Sequence, residues 1–125
     1  MPRVLIADDE DSMRTLVARA VAMDGHQTAT AQDGAEALEI LTREDGGFDL
    51  LLTDIQMPVM DGIALALTAA RDFPDLTILL MTGFADQRER AHGLNAIVHD
   101  VITKPFSVAD IRTAVADALA ERKAG

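Results

Sequence analysis

Five side chains that could take part in phosphoryl chemistry stand at or just beyond the ends of apolar runs. Asp8 and Asp9 follow "VLIA", Asp54 ends "DLLLTD", Thr82 ends "LTILLMT" and Lys104 ends "HDVITK". An aspartate can act as a nucleophile towards phosphorus and form an acyl phosphate. A lysine ammonium and a threonine hydroxyl suit the oxygens of the transferred group. The set indicates phosphoryl transfer, provided that the fold brings these residues together.

The carboxylates also indicate a metal ion. Three carboxylates in one crevice repel one another, and each raises the pKa of the others. A divalent cation would relieve that repulsion, and oxygen ligands with no His or Cys nearby favour Mg²⁺ over zinc. Taken alone, each residue has a structural interpretation: residues 8–11 could be a solvated acidic turn, Asp54 a strand end, Thr82 a β-former, and Lys104 part of an ordinary turn. Whether these residues form a site or are only structural depends on whether the strands and helices bring them together.

Short apolar runs alternate along the chain with stretches of helical periodicity. Strands are predicted at 3–7, 27–31, 49–54, 76–82 and 99–104. Helices are predicted at 11–25, 33–44, 61–72, 86–94 and from Ser107 onwards, where Ser107 and Asp110 form a capping-box pattern. The first helix has a predicted apolar face of Met13, Leu16, Val17, Ala20 and Val21, and Gly25 is its expected stop.

Five strands that alternate with five helices predict an α/β fold with a doubly wound parallel sheet. Strands three and four are apolar on both faces and should be central, whereas the polar strand two belongs at an edge. The strand order 2-1-3-4-5, as in flavodoxin-like folds, satisfies both conditions. It places the binding crevice at the carboxyl ends of strands one and three, where Asp8, Asp9 and Asp54 are expected.

Composition excludes several classes of function. The 125 residues suit a single domain, 1–125, with no output domain. The absence of Cys excludes thiolate catalysis and Cys-ligated zinc and fits a cytoplasmic protein. A formal charge of −10 argues against direct nucleic-acid binding. No run is long enough for membrane insertion, so other proteins and cations are the expected partners.

Four segments, "LIADDED", "DLLLTDIQMPVMDG", "LLMTG" and "ITKPF", resemble the receiver domain of two-component response regulators, the CheY-like family. The resemblance runs along essentially the whole chain, in order and at family spacing. It implies that Asp54 is the phosphoacceptor and that Asp9 and Asp54 bind Mg²⁺ directly. Asp8 would then hold a metal-bound water, and the main-chain carbonyl of Gln56 would be a further ligand.

The same resemblance implies that Thr82 and Lys104 contact the phosphoryl oxygens and that the Lys104–Pro105 bond is cis. One position departs from the common pattern. Many receivers carry Tyr or Phe two residues before the "TK" pair, where this sequence has Val101. Phe84 is a candidate to replace that aromatic switch and to shield the acyl phosphate from water; it could equally be a partly exposed loop residue.

A narrower resemblance, carried by "DGIALAL", "DQRERAHGL" and "HDVITKPF", is to single-domain regulators of the CpdR type. It implies phosphorylation by a histidine kinase or a histidine phosphotransferase. It also implies an adaptor role for a ClpX-type unfoldase and protease, controlled through the α4-β5-α5 face. Such a protein is not an enzyme beyond catalysing its own phosphotransfer and dephosphorylation.

The sequence leaves two other functions as alternatives to the adaptor role. One is a phosphate-shuttling intermediate of a phosphorelay, which needs only phosphotransfer and no target complex. The other is an aspartyl-nucleophile phosphatase of the haloacid-dehalogenase type. That class requires Asp-x-Asp after its first strand, whereas "ADDED" has adjacent acids and the isolated carboxylate follows strand three. An EF-hand reading from Asp9 fails, because Met13 and Arg14 stand where ligand and glycine positions belong.

Overall fold

A computed structural model describes residues 2–124, apart from the side chains of 85–87, 92 and 122–124. Strands and helices alternate strictly: β1 Arg3–Ala7, α1 Asp11–Ala22, β2 Gln27–Ala31, α2 Gly34–Arg43, β3 Leu50–Asp54, α3 Gly62–Asp72, β4 Thr77–Thr82, α4 Ala85–His92, β5 Asp100–Thr103 and α5 Val108–Ala124. The five strands form one sheet in the order β2-β1-β3-β4-β5, and every pairing is parallel. The predicted fold class and strand order are confirmed.

The alternation of side chains along the strands creates two cores, one on each face of the sheet. Val4 and Ile6 of β1 pack with α1 and α5, through Val17, Ala20, Val21, Ile111, Val115, Ala118 and Leu119. Leu5 and Ala7 face the other way and pack with α2, α3 and α4, through Ala37, Ile40, Leu41, Leu65, Ala66, Ala69 and Ala91. β3 is buried along its whole length, as a central parallel strand must be.

The helices begin close to the positions predicted from the sequence. For α1, however, the apolar face and the end of the helix differ from the prediction. Ser107 and Asp110 make the predicted capping box at α5, with N–H to side-chain distances of 2.9 and 3.1 Å. Leu16 was predicted on the apolar face of α1 but is 37% exposed, because α1 contacts the sheet and α5 through a narrower stripe. α1 ends at Ala22 rather than at Gly25, whose φ of 84° belongs to the following turn.

None of the helices in the described part of the chain has the length and apolarity needed to cross a membrane.

Candidate functional site

The parallel register brings the polar strand ends to one edge of the sheet. Ala7 of β1 pairs with Thr53 of β3, so the next residues, Asp8 and Asp54, are neighbours. Thr82, the last residue of β4, pairs with Thr103, which precedes Lys104. Asp8, Asp54 and Thr82 are buried, with 0%, 7% and 1% exposure.

Three carboxylates form a cluster at this edge. Asp8, Asp9 and Asp54 each offer an oxygen, and these oxygens lie within 4.8 Å of one another. Asp9 is exposed, so the cluster opens to solvent on its side. The Lys104 ammonium lies 3.2 Å from Oδ1 of Asp54 and 3.7 Å from Oδ2 of Asp8. One cation thus faces two buried anions.

Burial makes both inner carboxylates weaker acids. Loss of solvation is the main cause that raises the pKa of Asp54 to about 6; the charge of Lys104 opposes the rise and that of Asp8 adds to it. Burial also raises the pKa of Asp8, against the lowering effect of the Glu10 N–H that donates to its Oδ1 at 3.0 Å. Oδ2 of Asp8 is buried and has no hydrogen-bond partner among the described residues.

The donor set fits Mg²⁺. All three side chains are hard oxygen ligands, and a cation at the cluster would satisfy Oδ2 of Asp8, which lacks a hydrogen bond. Gln56, predicted to contribute a main-chain carbonyl, lies two residues beyond Asp54 in the loop between β3 and α3. The exposed position of its side chain is compatible with a main-chain role at the site.

Thr82 and Lys104 are held by the loops that follow β4 and β5. The Phe84 N–H donates to the Thr82 hydroxyl at 3.1 Å, and the Lys104 N–H donates to the Thr82 carbonyl at 2.7 Å. The Lys104–Pro105 peptide is cis, as the family resemblance implies. These hydrogen bonds fix the main chains of Thr82 and Lys104 relative to each other beside Asp54.

The two candidate switch residues, Val101 and Phe84, differ in how far they are buried. Val101 pairs with Leu80 in the sheet and packs, half-buried, against the core shared with α2, α3 and α4. Phe84 is the N-cap residue of α4, and 55% of it is exposed. Its main chain contacts Thr82 while much of the residue faces solvent.

Gly62, which none of the sequence motifs assigns a role, lies against the main chain of Asp54. It begins α3, and its N–H donates to the Ile55 carbonyl at 2.8 Å. A Cβ at this position would lie 2.1 Å from the carbonyl oxygen of Asp54, so only glycine permits the approach. The Asp-Gly pair after the apolar run was the available signal, with Asp61 capping α3 through the Ala64 N–H at 2.8 Å.

Several known proteins are similar to this chain in sequence. Residues 4–116 match the response regulator receiver domain family. The response regulator receiver protein CpdR of Brucella abortus is 40% identical over 111 residues, 89% of this chain and 91% of that protein. The transcriptional regulatory protein PrrA of Mycobacterium tuberculosis is 33% identical over 110 residues, 88% of this chain but only 46% of PrrA.

Solved structures agree in fold. The CheY-like receiver domain protein of Methanospirillum hungatei JF-1 superposes with a TM-score of 0.89 at 27% identity, covering 99% of this chain and 98% of that one. TrrA of Thermotoga maritima, solved in complex with Mg(2+)-BeF, gives 0.84 at 28% identity, with 95% and 100% covered. The match over residues 4–116 and the curated relatives lead to one conclusion: the chain belongs to the response regulator receiver domain family of two-component systems.

Proposed function

We propose that Asp54 accepts a phosphoryl group from a phosphohistidine of a histidine kinase or a histidine phosphotransferase. The observation that carries the proposal is the buried Asp54 carboxylate, 3.2 Å from the Lys104 ammonium and clustered with Asp8 and Asp9. In the transfer, an Asp54 oxygen attacks phosphorus, the P–N bond breaks, and the imidazole leaves with its electron pair and takes up a proton. The product is an acyl phosphate on Asp54.

The surrounding residues hold and stabilise the transferred group. Lys104 faces the oxygens of Asp54 and offers its charge to the phosphoryl oxygens, and the Thr82 hydroxyl offers a hydrogen bond. Asp8, Asp9, Asp54 and the main-chain carbonyl of Gln56 would hold Mg²⁺. When bound, Mg²⁺ supplies neutralisation of the charge that develops on the phosphoryl oxygens.

Phosphorylation would be read through the α4-β5-α5 face. The Thr82 hydroxyl donates to the carbonyl of Phe84, the N-cap residue of α4, at 3.4 Å, so a phosphoryl oxygen that accepts from this hydroxyl competes with a contact at the start of that helix. Of the α4 residues with described side chains, only Ala91 is buried. A helix segment whose described side chains, at 88–91, contribute so little buried surface can shift at low cost.

The readout we propose is regulated proteolysis, with the domain acting as an adaptor for a ClpX-type unfoldase. The similarity to CpdR over 89% of the chain supports this assignment. The shuttle in a phosphorelay is the competing outcome. It predicts fast transfer of phosphate from Asp54 to a partner histidine and no state-dependent target.

Incubation with a small phosphodonor and Mg²⁺ tests the phosphoacceptor. The expected result is a mass gain of one phosphoryl group in the wild type and none in Asp54→Asn. Asp75→Asn, which changes an exposed aspartate outside the site, is the matched control and should be phosphorylated normally. Equal labelling of Asp54→Asn and the wild type would overturn the proposal.

A pull-down with the phosphorylated and the unphosphorylated wild type tests the readout. Capture of an unfoldase by one state only, with Asp54→Ala behaving as the unphosphorylated form in both conditions, is the expected result. Binding that ignores the phosphorylation state would contradict the adaptor assignment and leave the phosphoacceptor intact.

A further inference from the structure

Arg14 of α1 reaches back to the loop that carries the two acidic residues after β1. Its Nη1 donates to the main-chain carbonyl of Asp8 at 2.8 Å, and its Nη2 forms an ion pair with Asp11. The arginine side chain is only 16% exposed, whereas that of Asp11 is 89% exposed. The Arg14 side chain therefore contacts mainly protein rather than solvent.

The carbonyl that Arg14 binds belongs to the peptide group between Asp8 and Asp9. Because a peptide group is planar, the direction of this carbonyl also sets the position of the Asp9 Cα and the course of its side chain. On its other side Asp8 is fixed by its own N–H, which donates to the Ala31 carbonyl of β2 at 3.1 Å. The main chain of Asp8 is thus held from two directions, by β2 and by α1.

Of the hydrogen bonds made by the described side chains of α1, the bond from Arg14 is the one that reaches the main chain of the preceding loop. The side chain of its N-cap residue, Glu10, accepts from the Ser12 hydroxyl at 2.8 Å but caps no main-chain N–H of the helix, whereas Asp33 and Asp61 cap α2 and α3 in that way. Without the bond from Arg14, the main chain just before α1 would depend more heavily on the Asp8 carboxylate, whose Oδ1 accepts from the Glu10 N–H. That carboxylate is also needed at the acidic cluster.

We propose that Arg14 is a positioning residue for the metal site: by fixing the Asp8–Asp9 peptide, it orients both carboxylates before the cation arrives. The inference rests on the proposed function, since it assumes that Asp8, Asp9 and Asp54 hold Mg²⁺. Hydrogen-bond partners behind metal ligands typically contribute about tenfold to a hundredfold in affinity.

The sign of the effect separates positioning from plain electrostatics. Arg14 is a cation near a cation site, so removing its charge should strengthen Mg²⁺ binding if charge alone matters. Loss of a positioning bond weakens Mg²⁺ binding. A residue that only stabilises α1 through Asp11 would alter the melting temperature and leave the affinity unchanged.

Calorimetric titration of the metal-free full chain with Mg²⁺ at physiological salt tests this. Arg14→Gln should bind at least about tenfold more weakly than the wild type. Arg14→Lys, which keeps the charge and one donor, should lie between the two. Arg19→Gln, an exposed arginine on the same helix, and Asp11→Asn, which removes the ion pair but leaves the carbonyl bond, should stay within about twofold of the wild type.

Unchanged or tighter binding by Arg14→Gln overturns the inference, as does a loss in Asp11→Asn that equals the loss in Arg14→Gln. If Arg14→Gln does not fold, as judged by circular dichroism, wild-type affinity in Arg14→Lys overturns it. Absence of Mg²⁺ binding in the wild type overturns the metal site of the proposed function and this inference with it. If the wild type binds Mg²⁺ and the substitutions at Arg14 do not change the affinity, this inference is wrong and the metal site of the proposed function stands.

Discussion

At the scale of single residues, the main feature of the site is that the carboxylate of Asp54 is buried and poorly solvated. Asp54 is 7% exposed and shares its surroundings with Asp8, and among the described side chains Lys104 alone is a close counter-charge. A buried acid with a raised pKa destabilises the fold whenever it is ionised. Ionised Asp54 is therefore expected to lower the stability of the metal-free protein.

Asp54→Asn should raise the melting temperature of the metal-free protein at pH 7.5. The folded chain releases the Asp54 proton near pH 6 and the unfolded chain near 3.8, so the folded state holds more protons between these values. Stability from this group is accordingly lost as the pH rises through that window. At about 1.4 kcal/mol per pKa unit, the gain at pH 7.5 is at most about 3 kcal/mol.

Thermal melts in EDTA at several pH values check this prediction. The difference between Asp54→Asn and the wild type should shrink as the pH falls from 7.5 to 4. Asp75→Asn, at an exposed position, serves as the control with a small and pH-independent difference. A lower melting temperature for Asp54→Asn at pH 7.5 would contradict the proposed cost of burial.

Phe84→Ala should shorten the lifetime of the acyl phosphate. A 3.1 Å hydrogen bond fixes the Phe84 main chain to Thr82, so we expect its side chain to hinder the approach of water to the acyl phosphate. Loss of radioactive phosphate over time gives the measurement. Leu67→Ala, which removes a similarly exposed apolar side chain from α3, should leave the lifetime unchanged. Equal lifetimes for Phe84→Ala and the wild type would exclude shielding.

At the scale of elements, the loop between β3 and α3 sets the position of Asp54. α3 begins against the carbonyl of Asp54, and Gly62 is the residue that permits this contact. The same loop holds Val59 at φ 69°, a conformation that a β-branched residue rarely adopts. Val59 is 85% exposed, so no packing compensates for the strain.

Val59→Gly should stabilise the protein by about 1 kcal/mol, because glycine adopts a positive φ without a steric penalty. Val59→Ala is the matched control and should gain less, since alanine keeps the Cβ that causes the strain. Urea titration of both variants measures the difference. The strain argument fails if Val59→Gly is less stable than Val59→Ala.

The elements themselves could be predicted well from the sequence, because their signals are local. Each of the five strands begins and ends within one residue of its predicted bounds, and the Ser107–Asp110 capping box is present. Leu16 was misplaced because helical periodicity cannot say how wide a face the neighbouring α5 covers. The bond from Arg14 to the Asp8 carbonyl and the isolation of Asp8 Oδ2 depend on how a loop folds over a strand end, for which the sequence carries no periodic signal.

At the scale of the whole molecule, excess negative charge acts together with the acidic cluster. The formal charge is −10, and three of the carboxylates meet within 4.8 Å. General repulsion is screened by any salt, whereas the cluster responds to a cation that fits it. The two contributions can be separated experimentally.

MgCl₂ should raise the melting temperature more than NaCl at matched ionic strength. Screening is the same in both salts, and only Mg²⁺ adds stability through binding to the folded state. The excess should disappear in Asp8→Ala, whose own metal-free melting temperature should exceed that of the wild type because a buried acid has been removed. Equal effects of the two salts on the wild type would place the Mg²⁺ effect outside the cluster.

The raised pKa of Asp54 has a further consequence, in proton exchange with the solvent. At a pH near 6 about half of the molecules carry a proton on this carboxyl group. Occupation of the site by a cation must expel that proton into the buffer. The heat of Mg²⁺ binding at this pH should therefore vary with the ionisation enthalpy of the buffer and become independent of it towards pH 8. The domain would in this way exchange protons for metal ions across the mildly acidic range.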